Sequence, residues 1–206
     1  MGHFLSRVVV AGSLAGVLSM PLGAAARTWQ IDPNHSAAQF AVRHLGLSTV
    51  RGAFTKVTGT ANLDDKDISK SSVEVTIDAT SVDTRVRDRD NDLRSDHFFD
   101  VAKYPTITFK SKKVEQLSPG KLKVTGDLTI HGTTNEVVLD VDGPTAAVKD
   151  PWGNQRVAAS ATTKINRQDY GVKWNAKMDN GGLVVGDDVQ ITIDVELVQP
   201  AAKAGN

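Results

Sequence analysis

The chain contains no cysteine, and this absence excludes two classes of protein at once. A disulfide framework cannot form, and no cysteine is present for lipid attachment at a processed N-terminus. Export would expose the chain to an oxidising compartment that favours disulfides, yet none can be made. The fold must therefore be held together by its hydrophobic core.

An excess of charge of either sign is also lacking. The chain has 24 Lys and Arg against 24 Asp and Glu. Removing residues 1–26, whose one Lys or Arg is Arg7, leaves 23 cations and 24 anions on 180 residues. A balance this even gives no electrostatic reason to expect nucleic acid or an anionic membrane surface as partner.

Catalytic motifs are missing as well. Asp32, His35 and Ser36 are neighbours in sequence, but a triad is defined by geometry, and no Gly-x-Ser-x-Gly elbow occurs. The acidic pairs Asp64-Asp65 and Asp187-Asp188 would point to opposite faces of a strand, and we interpret them as turn residues. The sequence predicts a protein that is not an enzyme.

A metal site is not predicted either. The histidines that follow residue 26 are His35, His44, His97 and His131, and no two have the His-x-x-x-His spacing of a helical metal site. His35 and His44 also have opposite strand parity. We therefore predict no bound metal and no cofactor other than a ligand.

The N-terminus has the pattern of a secretory signal. Arg7 precedes an apolar run over residues 8–20, and Ala24-Ala25-Ala26 satisfies the small-residue rule for cleavage. The run is shorter than the roughly 20 apolar residues that a membrane span needs. We predict a cleaved signal peptide over residues 1–26, a periplasmic location and no membrane span after processing.

Short segments of alternating polarity fill the rest of the chain. In the last of them Val189, Ile191, Ile193 and Val195 share one face, which indicates a strand with one buried side. The predicted strands are 38–44, 50–57, 59–63, 72–78, 106–114, 121–128, 135–141, 156–165 and 189–198. Short turns between them favour antiparallel pairing, in a sandwich or a barrel. The plainest hairpin covers residues 121–141, with a turn at residues 131–134.

Residues 83–95 differ from this pattern. Arginines and aspartates alternate there, so the segment predicts a short charged helix whose start is capped by Asp83 or Thr84. Such a helix is either a lid across a barrel mouth or a surface crossover. Of the adjacent Phe98 and Phe99, we expect one to point into the barrel and the other to lie under the helix.

Several blocks of residues resemble one known family. They begin with Asp32-Pro33-Asn34-His35-Ser36 and the segments 44–48 and 51–54. They continue with residues 93–95, 98–100, 103–105, 126–132, 150–153 and 186–189. In this order they resemble the YceI-like family of periplasmic, lipocalin-like, polyisoprenoid-binding proteins, from about Trp29 to about Val198.

The resemblance decides between sandwich and barrel. It implies an all-β fold, an eight-stranded antiparallel lipocalin-like barrel with the short charged helix near the barrel mouth. Residues 27–199 would form this single lipid-binding domain, and residues 200–206 a flexible tail. A homodimer is left open.

The resemblance also implies a ligand. We expect a periplasmic carrier that holds a long isoprenoid lipid, a polyprenyl phosphate or a quinone-like molecule. A lipid-modifying enzyme and a metal-binding envelope protein are the alternatives. Residues expected to line the tail cavity are Phe40, Val42, Leu45, Phe54, Phe98, Phe99, Ile107, Phe109, Trp174 and Leu183. Polar residues expected near the head group are His35, Ser36, His44, Arg51, Arg94, Asp96, His97 and Arg156.

Overall fold

A computed structural model of the chain describes residues 27–179 and 181–201. Its strands are β1 Arg27–Ile31, β2 Ala37–His44, β3 Ser48–Phe54, β4 Val57–Leu63, β5 Ser72–Asp78, β6 Val82–Asp83, β7 Thr106–Ser118, β8 Lys121–Ile130, β9 Thr133–Asp142, β10 Val148–Lys149, β11 Gln155–Asn166 and β12 Val185–Gln199. Helix α1 is Arg87–Arg94, and three 3-10 turns cover Ile68–Lys70, Ala79–Ser81 and Arg167–Tyr170. The predicted signal peptide, residues 1–26, lies outside the described residues, as do residues 202–206 of the predicted tail.

Eight of the strands close into a barrel, which confirms the predicted fold. The ring runs β11, β9, β8, β7, β5, β4, β1, β12, and β12 pairs with β11 again to close it. Neighbouring strands are antiparallel, and the closing pair runs from Gln155↔Gln199 to Asn166↔Asp188. Strands β2, β3 and β6 extend from the other edge of β12. Each ring strand is therefore paired on both sides, although β1 joins β12 through only two residue pairs and β9 joins β11 through only three.

The barrel has two distinct ends, which the strand registers define. The upper end contains α1, the β8–β9 turn and residues 167–185, where β11 ends and β12 begins. The lower end contains the β7–β8 turn, residues 64–71 and residues 143–154. These two names are kept below.

All nine predicted strands are present, and most are longer than predicted. The β8–β9 hairpin forms as expected, but its turn consists of only His131 and Gly132, both with positive φ (51° and 74°). Two positive φ angles are the signature of the type I′ turn, whose twist matches that of the strands. Strand β1 was not predicted, although Trp29 and Ile31 alternate with polar residues and are 3% and 5% exposed.

Helix α1 begins differently from the prediction. Its first flanking residue is Val86, which supplies no side-chain cap, so neither Asp83 nor Thr84 caps the helix. Instead the backbone N–H and hydroxyl of Thr84 both donate to Oδ1 of the buried Asp90, at 2.8 and 2.5 Å. Arg94 donates to the carbonyls of Thr80 and Val82. These bonds tie α1 to the chain that precedes it.

No helix in the described part of the chain is both long and apolar enough to cross a membrane.

Candidate ligand-binding site

The interior of the barrel holds an apolar cavity of about 290 Å³. Residues from β12 and β5 contribute to its wall, including Val189, Ile191, Ile193 and Val75. These side chains are only partly buried, although they point inward. In a filled core such positions would be fully buried, so their exposure is to the cavity. The barrel therefore encloses usable apolar space along its length.

Seven residues of the predicted tail site line this cavity. They are Phe40, Val42, Phe54, Phe98, Phe99, Ile107 and Phe109. Three of them form an aromatic cluster, with ring centroids 5.8 Å apart for Phe40 and Phe54 and 5.5 Å apart for Phe54 and Phe99. The cluster joins β2 and β3 to the segment after α1. A ligand contact at these residues stays a prediction.

Both Phe98 and Phe99 line the cavity, so the expectation that only one of them points into the barrel is wrong. The reason is local backbone. These residues lie in a turn in which the N–H of Phe98 bonds to Ser95 and that of Phe99 to Leu93. Neighbouring side chains oppose one another in extended chain, not in a turn.

Three residues expected in the cavity wall lie elsewhere. Leu45 is in the β2–β3 turn with φ 55°, and it does not belong to the lining. Leu183 is bridged to Lys177 outside the barrel and is 39% exposed. Trp174 packs on Phe98 and His97, at ring distances of 5.4 and 5.9 Å, and covers the upper end.

Arg167 is a residue that the sequence analysis missed. Among the described residues that line the cavity it is the charged one, and it is 6% exposed. Burial lowers the pKa of its guanidinium, and Asp187 opposes that shift. Its nitrogens donate to the carbonyls of Val172, Trp174, Val185 and Gly186 and to Oδ1 of Asp187. Because a guanidinium has five N–H groups, Arg167 fastens the upper end together and has no donor left for a ligand.

Asp187 and Asp188 lie within β12, so the interpretation of this pair as a turn is wrong. Their side chains separate as strand neighbours do. Asp187 accepts from Arg167 at 3.0 Å, and Asp188 pairs with Lys164 at 2.9 Å on the exposed face. Only Asp187 takes part in closing the cavity. Burial raises the pKa of Tyr170, another residue that lines the cavity, to about 12.

The predicted head-group residues do not form one site. His44, Arg51, Arg94, Asp96 and His97 belong to the upper half, and none of them lines the cavity. His97 bonds through Nδ1 to Asp92 at 2.8 Å and stacks on Trp174, so its ring is already engaged. The guanidinium of Arg94 is committed to backbone carbonyls.

The other three, His35, Ser36 and Arg156, meet near the lower end. Arg156 donates to Asp150 and Asp32, each at 2.8 Å, and also pairs with Glu196. The bonds from Arg156 and from His35 lower the pKa of Asp32 to about 2. Burial opposes ionisation of Asp150, but bonds from Arg156 and Asn154 outweigh it and lower that pKa to about 2. The network braces the 150–154 turn against β1 and β12.

Asp32, His35 and Glu196 place three ligand-type atoms within 4.8 Å of one another, a grouping that could suit a metal. Arg156 contacts both carboxylates of this group. A guanidinium supplies the positive charge that a metal ion would bring and would repel that ion. The grouping fits an ion-pair network better than a metal site.

A family model described as the YceI-like domain matches residues 29–197. The chain belongs to the YceI-like family. A UPF0312 protein of Vibrio cholerae is 39% identical to it over 171 residues, which cover 82% of this chain and 90% of the relative. A UPF0312 protein of Shewanella denitrificans is 34% identical over 173 residues, 83% of this chain and 90% of the relative.

Three solved structures superpose on this chain with TM-scores of 0.60 or more. The YceI protein of Campylobacter jejuni superposes with a TM-score of 0.65 at 32% identity, covering 77% of this chain and 90% of that one. BcnA of Burkholderia cenocepacia gives 0.68 at 25% identity, covering 82% and 99%. A domain of Saccharophagus degradans, described as polyisoprenoid-binding, gives 0.60 at 18% identity, covering 84% and 98%.

Proposed function

We propose that this YceI-like protein is a periplasmic carrier that sequesters a long amphipathic isoprenoid lipid, of the polyprenyl phosphate or quinone kind. The observation that carries the proposal is the apolar cavity inside the closed barrel, with a wall of Val, Ile, Leu and Phe. The S. degradans domain with the same fold is described as polyisoprenoid-binding; at 18% identity it supports the fold rather than the ligand. The predicted signal peptide supports export.

The energetics suit an apolar chain. Each buried methylene contributes roughly 0.8 kcal/mol, so about ten of them contribute about 8 kcal/mol before the costs of association. A free energy near that value corresponds to about micromolar affinity. An isoprenoid tail needs no hydrogen bonds from the wall, and the guanidinium of Arg167 offers none.

The arrangement supports binding rather than turnover. His35 and Ser36 lie in the network near the lower end, where Ser36 Oγ accepts from the backbone N–H of Glu196 at 3.1 Å. Neither residue lines the cavity. A ligand tail inside the barrel would not meet a nucleophile with its base.

The helix segment would control access in this account. Leu93 of α1 lines the cavity together with Phe98 and Phe99. Asp90 and Arg94 hold the segment to residues 80–84 through hydrogen bonds. Releasing those bonds would uncover the upper part of the cavity.

Filling the cavity tests the proposal. Ala161 on β11 is 8% exposed and lines the cavity, whereas its neighbour Thr162 points outward. We expect Ala161→Phe to abolish binding of a long isoprenoid alcohol or quinone, because the ring occupies the path of the tail. Thr162→Phe is the matched control and keeps wild-type affinity. Equal affinity of both folded variants would contradict a ligand inside the barrel.

A further inference from the structure

The β2–β3 hairpin and its flanks have charged residues of one sign only. Residues 33–63 contain Arg43, Arg51 and Lys56 but no Asp or Glu. Lys56 is neutralised by an ion pair with Asp78 at 3.3 Å. Arg43 and Arg51 belong to no ion pair within residues 27–179 and 181–201. The even charge balance of the whole chain therefore does not extend to this hairpin.

The two arginines share one face of the hairpin. The strand register pairs Arg43 with Thr49 and Ala41 with Arg51, so the arginines lie diagonally across neighbouring strands. Their face is the outer one, because the intervening Val42 lines the barrel cavity and strand neighbours point to opposite faces. Both arginines are exposed. The outer face of the hairpin is therefore positively charged.

The turn of this hairpin, residues 45–47, presents a leucine to solvent. Leu47 is 81% exposed. The two residues before it, Leu45 and Gly46, have left-handed backbone, with φ 55° and 69°. This conformation is unfavourable for a leucine, but Arg43 donates to the carbonyls of Gly46 and Leu47 at 2.7 and 3.0 Å and stabilises the turn. One arginine thus supplies charge and also fixes an apolar side chain in an exposed position.

A second segment with an exposed leucine lies beside this turn. The backbone N–H of Leu45 donates to the carbonyl of Val184 at 2.8 Å. The preceding Leu183 is 39% exposed and is bridged to Lys177, which is also exposed. We call the surface formed by residues 43–51, 173–177 and 183–184 the upper tip. It presents two leucines from neighbouring segments at the upper end of the barrel.

Cations outnumber acids at the upper tip. Lys173 and Lys177, like the two arginines, are absent from the ion pairs of the described residues. The nearby acids Asp187 and Asp188 are each paired with a cation outside the tip, which leaves Asp179 as the acid beside it. In α1, at the same end, three arginines and three aspartates balance. The unbalanced charges are Arg43, Arg51, Lys173 and Lys177.

An anionic bilayer complements such a surface. Exposed apolar side chains can enter the head-group region, while the cations around them meet lipid phosphates. A second copy of the chain complements it poorly. A two-fold interface brings the same patch of both copies together, so Arg43 and Arg51 would face the same arginines and repel them.

We infer that the upper tip docks on an anionic phospholipid bilayer, with Leu47 among the lipid head groups and the four unbalanced cations against the lipid phosphates. The inference adds a membrane partner to the proposed function and does not depend on which ligand occupies the cavity. It brings to the bilayer the end of the barrel that contains α1.

Vesicle sedimentation of the processed protein tests the inference. The probes are vesicles of phosphatidylcholine alone and vesicles that also contain phosphatidylglycerol, each at low and at high salt. We expect binding to the anionic vesicles, weaker binding to the neutral ones, and loss of binding at high salt, which screens exposed charges. Absence of binding to anionic vesicles at low salt would overturn the inference.

Matched variants locate the surface. Leu47→Ser should weaken binding to anionic vesicles about tenfold through lost apolar burial, and Arg51→Gln about fivefold through one lost charge. The controls are Leu117→Ser and Lys149→Gln. Leu117 is 61% exposed and Lys149 is exposed, and both lie at the lower end. The controls should keep wild-type affinity, and weakening equal to that of the upper-tip variants would overturn the inference.

Fluorescence quenching gives the orientation directly. Leu47→Trp and Leu117→Trp are each made together with W152F, so that Trp29 and Trp174 are the background common to both. Anionic vesicles with brominated acyl chains should quench more emission in the Leu47→Trp protein. Greater quenching in the Leu117→Trp protein would show that the lower end docks and would overturn the inference.

Two further measurements separate the remaining outcomes. If sedimentation velocity shows a dimer that Leu47→Ser dissociates, while vesicle binding is unchanged, the upper tip is an interface between copies and the inference is wrong. Equilibrium dialysis of the wild-type protein with geranylgeraniol reports the cavity independently. A protein that binds geranylgeraniol but not vesicles would contradict only the membrane surface, and the reverse result would contradict only the proposed function.

Discussion

Arg167, the first residue of the 3-10 turn after β11, donates from Nη2 to Oδ1 of Asp187 on β12 over 3.0 Å. The same guanidinium holds the carbonyls of Val172 and Trp174, so one side chain joins two strands and the loop between them. The side chain of Arg167 is 7% exposed and that of Asp187 is 35% exposed. The upper end of the barrel is thus closed by an ion pair whose cation is almost fully buried.

Replacing this arginine should be costly. We expect Arg167→Met to lower the free energy of unfolding by about 3 kcal/mol, because several buried carbonyls and Asp187 lose their donor. The measurement is urea denaturation at neutral pH. Lys164→Met removes the neighbouring exposed pair with Asp188 and should change stability by less than about 1 kcal/mol. Equal effects would show that Arg167 does not fasten the upper end.

Acid should weaken the network around Arg156. Asp32 and Asp150 have folded-state pKa values of about 2 against an ordinary value of 3.8. A lowered pKa contributes stability that is present above the ordinary value and is lost as pH falls towards the folded one. Stability should therefore decline between about pH 4 and pH 2.

Asp150→Asn should make that decline shallower, because one of the two carboxylates no longer takes up a proton on unfolding in acid. Urea denaturation in steps from pH 5 to pH 2 would measure the slope. Asp140→Asn removes an exposed carboxylate, 71% accessible, and should leave the slope as it is. An unchanged slope in Asp150→Asn would mean that the network does not hold Asp150 ionised.

Gly132 in the β8–β9 turn can be compared with Gly120 to separate the cost of backbone strain from the cost of a side-chain clash. Gly132 and Gly120 both have positive φ, 74° and 72°. A methyl group on Gly132 would lie 2.5 Å from Cε1 of Tyr104, whereas one on Gly120 would meet nothing within 4 Å. Gly120→Ala should lower the free energy of unfolding by about 1 kcal/mol, because alanine is strained at a positive φ. Gly132→Ala should lower it by a further ~1 to 3 kcal/mol, because its methyl group also clashes with Tyr104. Thermal unfolding of both variants would compare them, and equal costs would refute a role for Tyr104.

The fold was readable from the sequence where one face of a strand is apolar. β12 illustrates this, because its alternating Val and Ile residues are the residues that line the cavity. Closure of the barrel could not be predicted in this way, because it requires the first strand, β1, to pair with the last, β12, as Gln30 does with Val198. The resemblance to the YceI-like family supplied it. β1 had a recognisable alternation in Trp29 and Ile31, but it is only five residues long.

The site was harder to predict for two physical reasons. An apolar side chain can pack either inside the barrel or against its outer surface, and the sequence does not distinguish the two. For this reason the prediction that Trp174 and Leu183 line the cavity is wrong. Polar residues at strand ends can also lie at either end of the barrel. His97 and Arg156 are both predicted to lie near the head group, but His97 is at the upper end and Arg156 is near the lower end. No sequence pattern marks Arg167 as part of the site, because its hydrogen-bond partners are mostly backbone carbonyls, which any residue type supplies.

The central claim is that an isoprenoid occupies the barrel, and the bound molecule itself tests it most directly. Protein purified from its native periplasm without detergent would be extracted with organic solvent, and the extract analysed by mass spectrometry. The account predicts an isoprenoid at about one molecule per chain, and the structure of that molecule identifies the head group. An empty barrel, or a straight-chain fatty acid at low occupancy, would contradict the account.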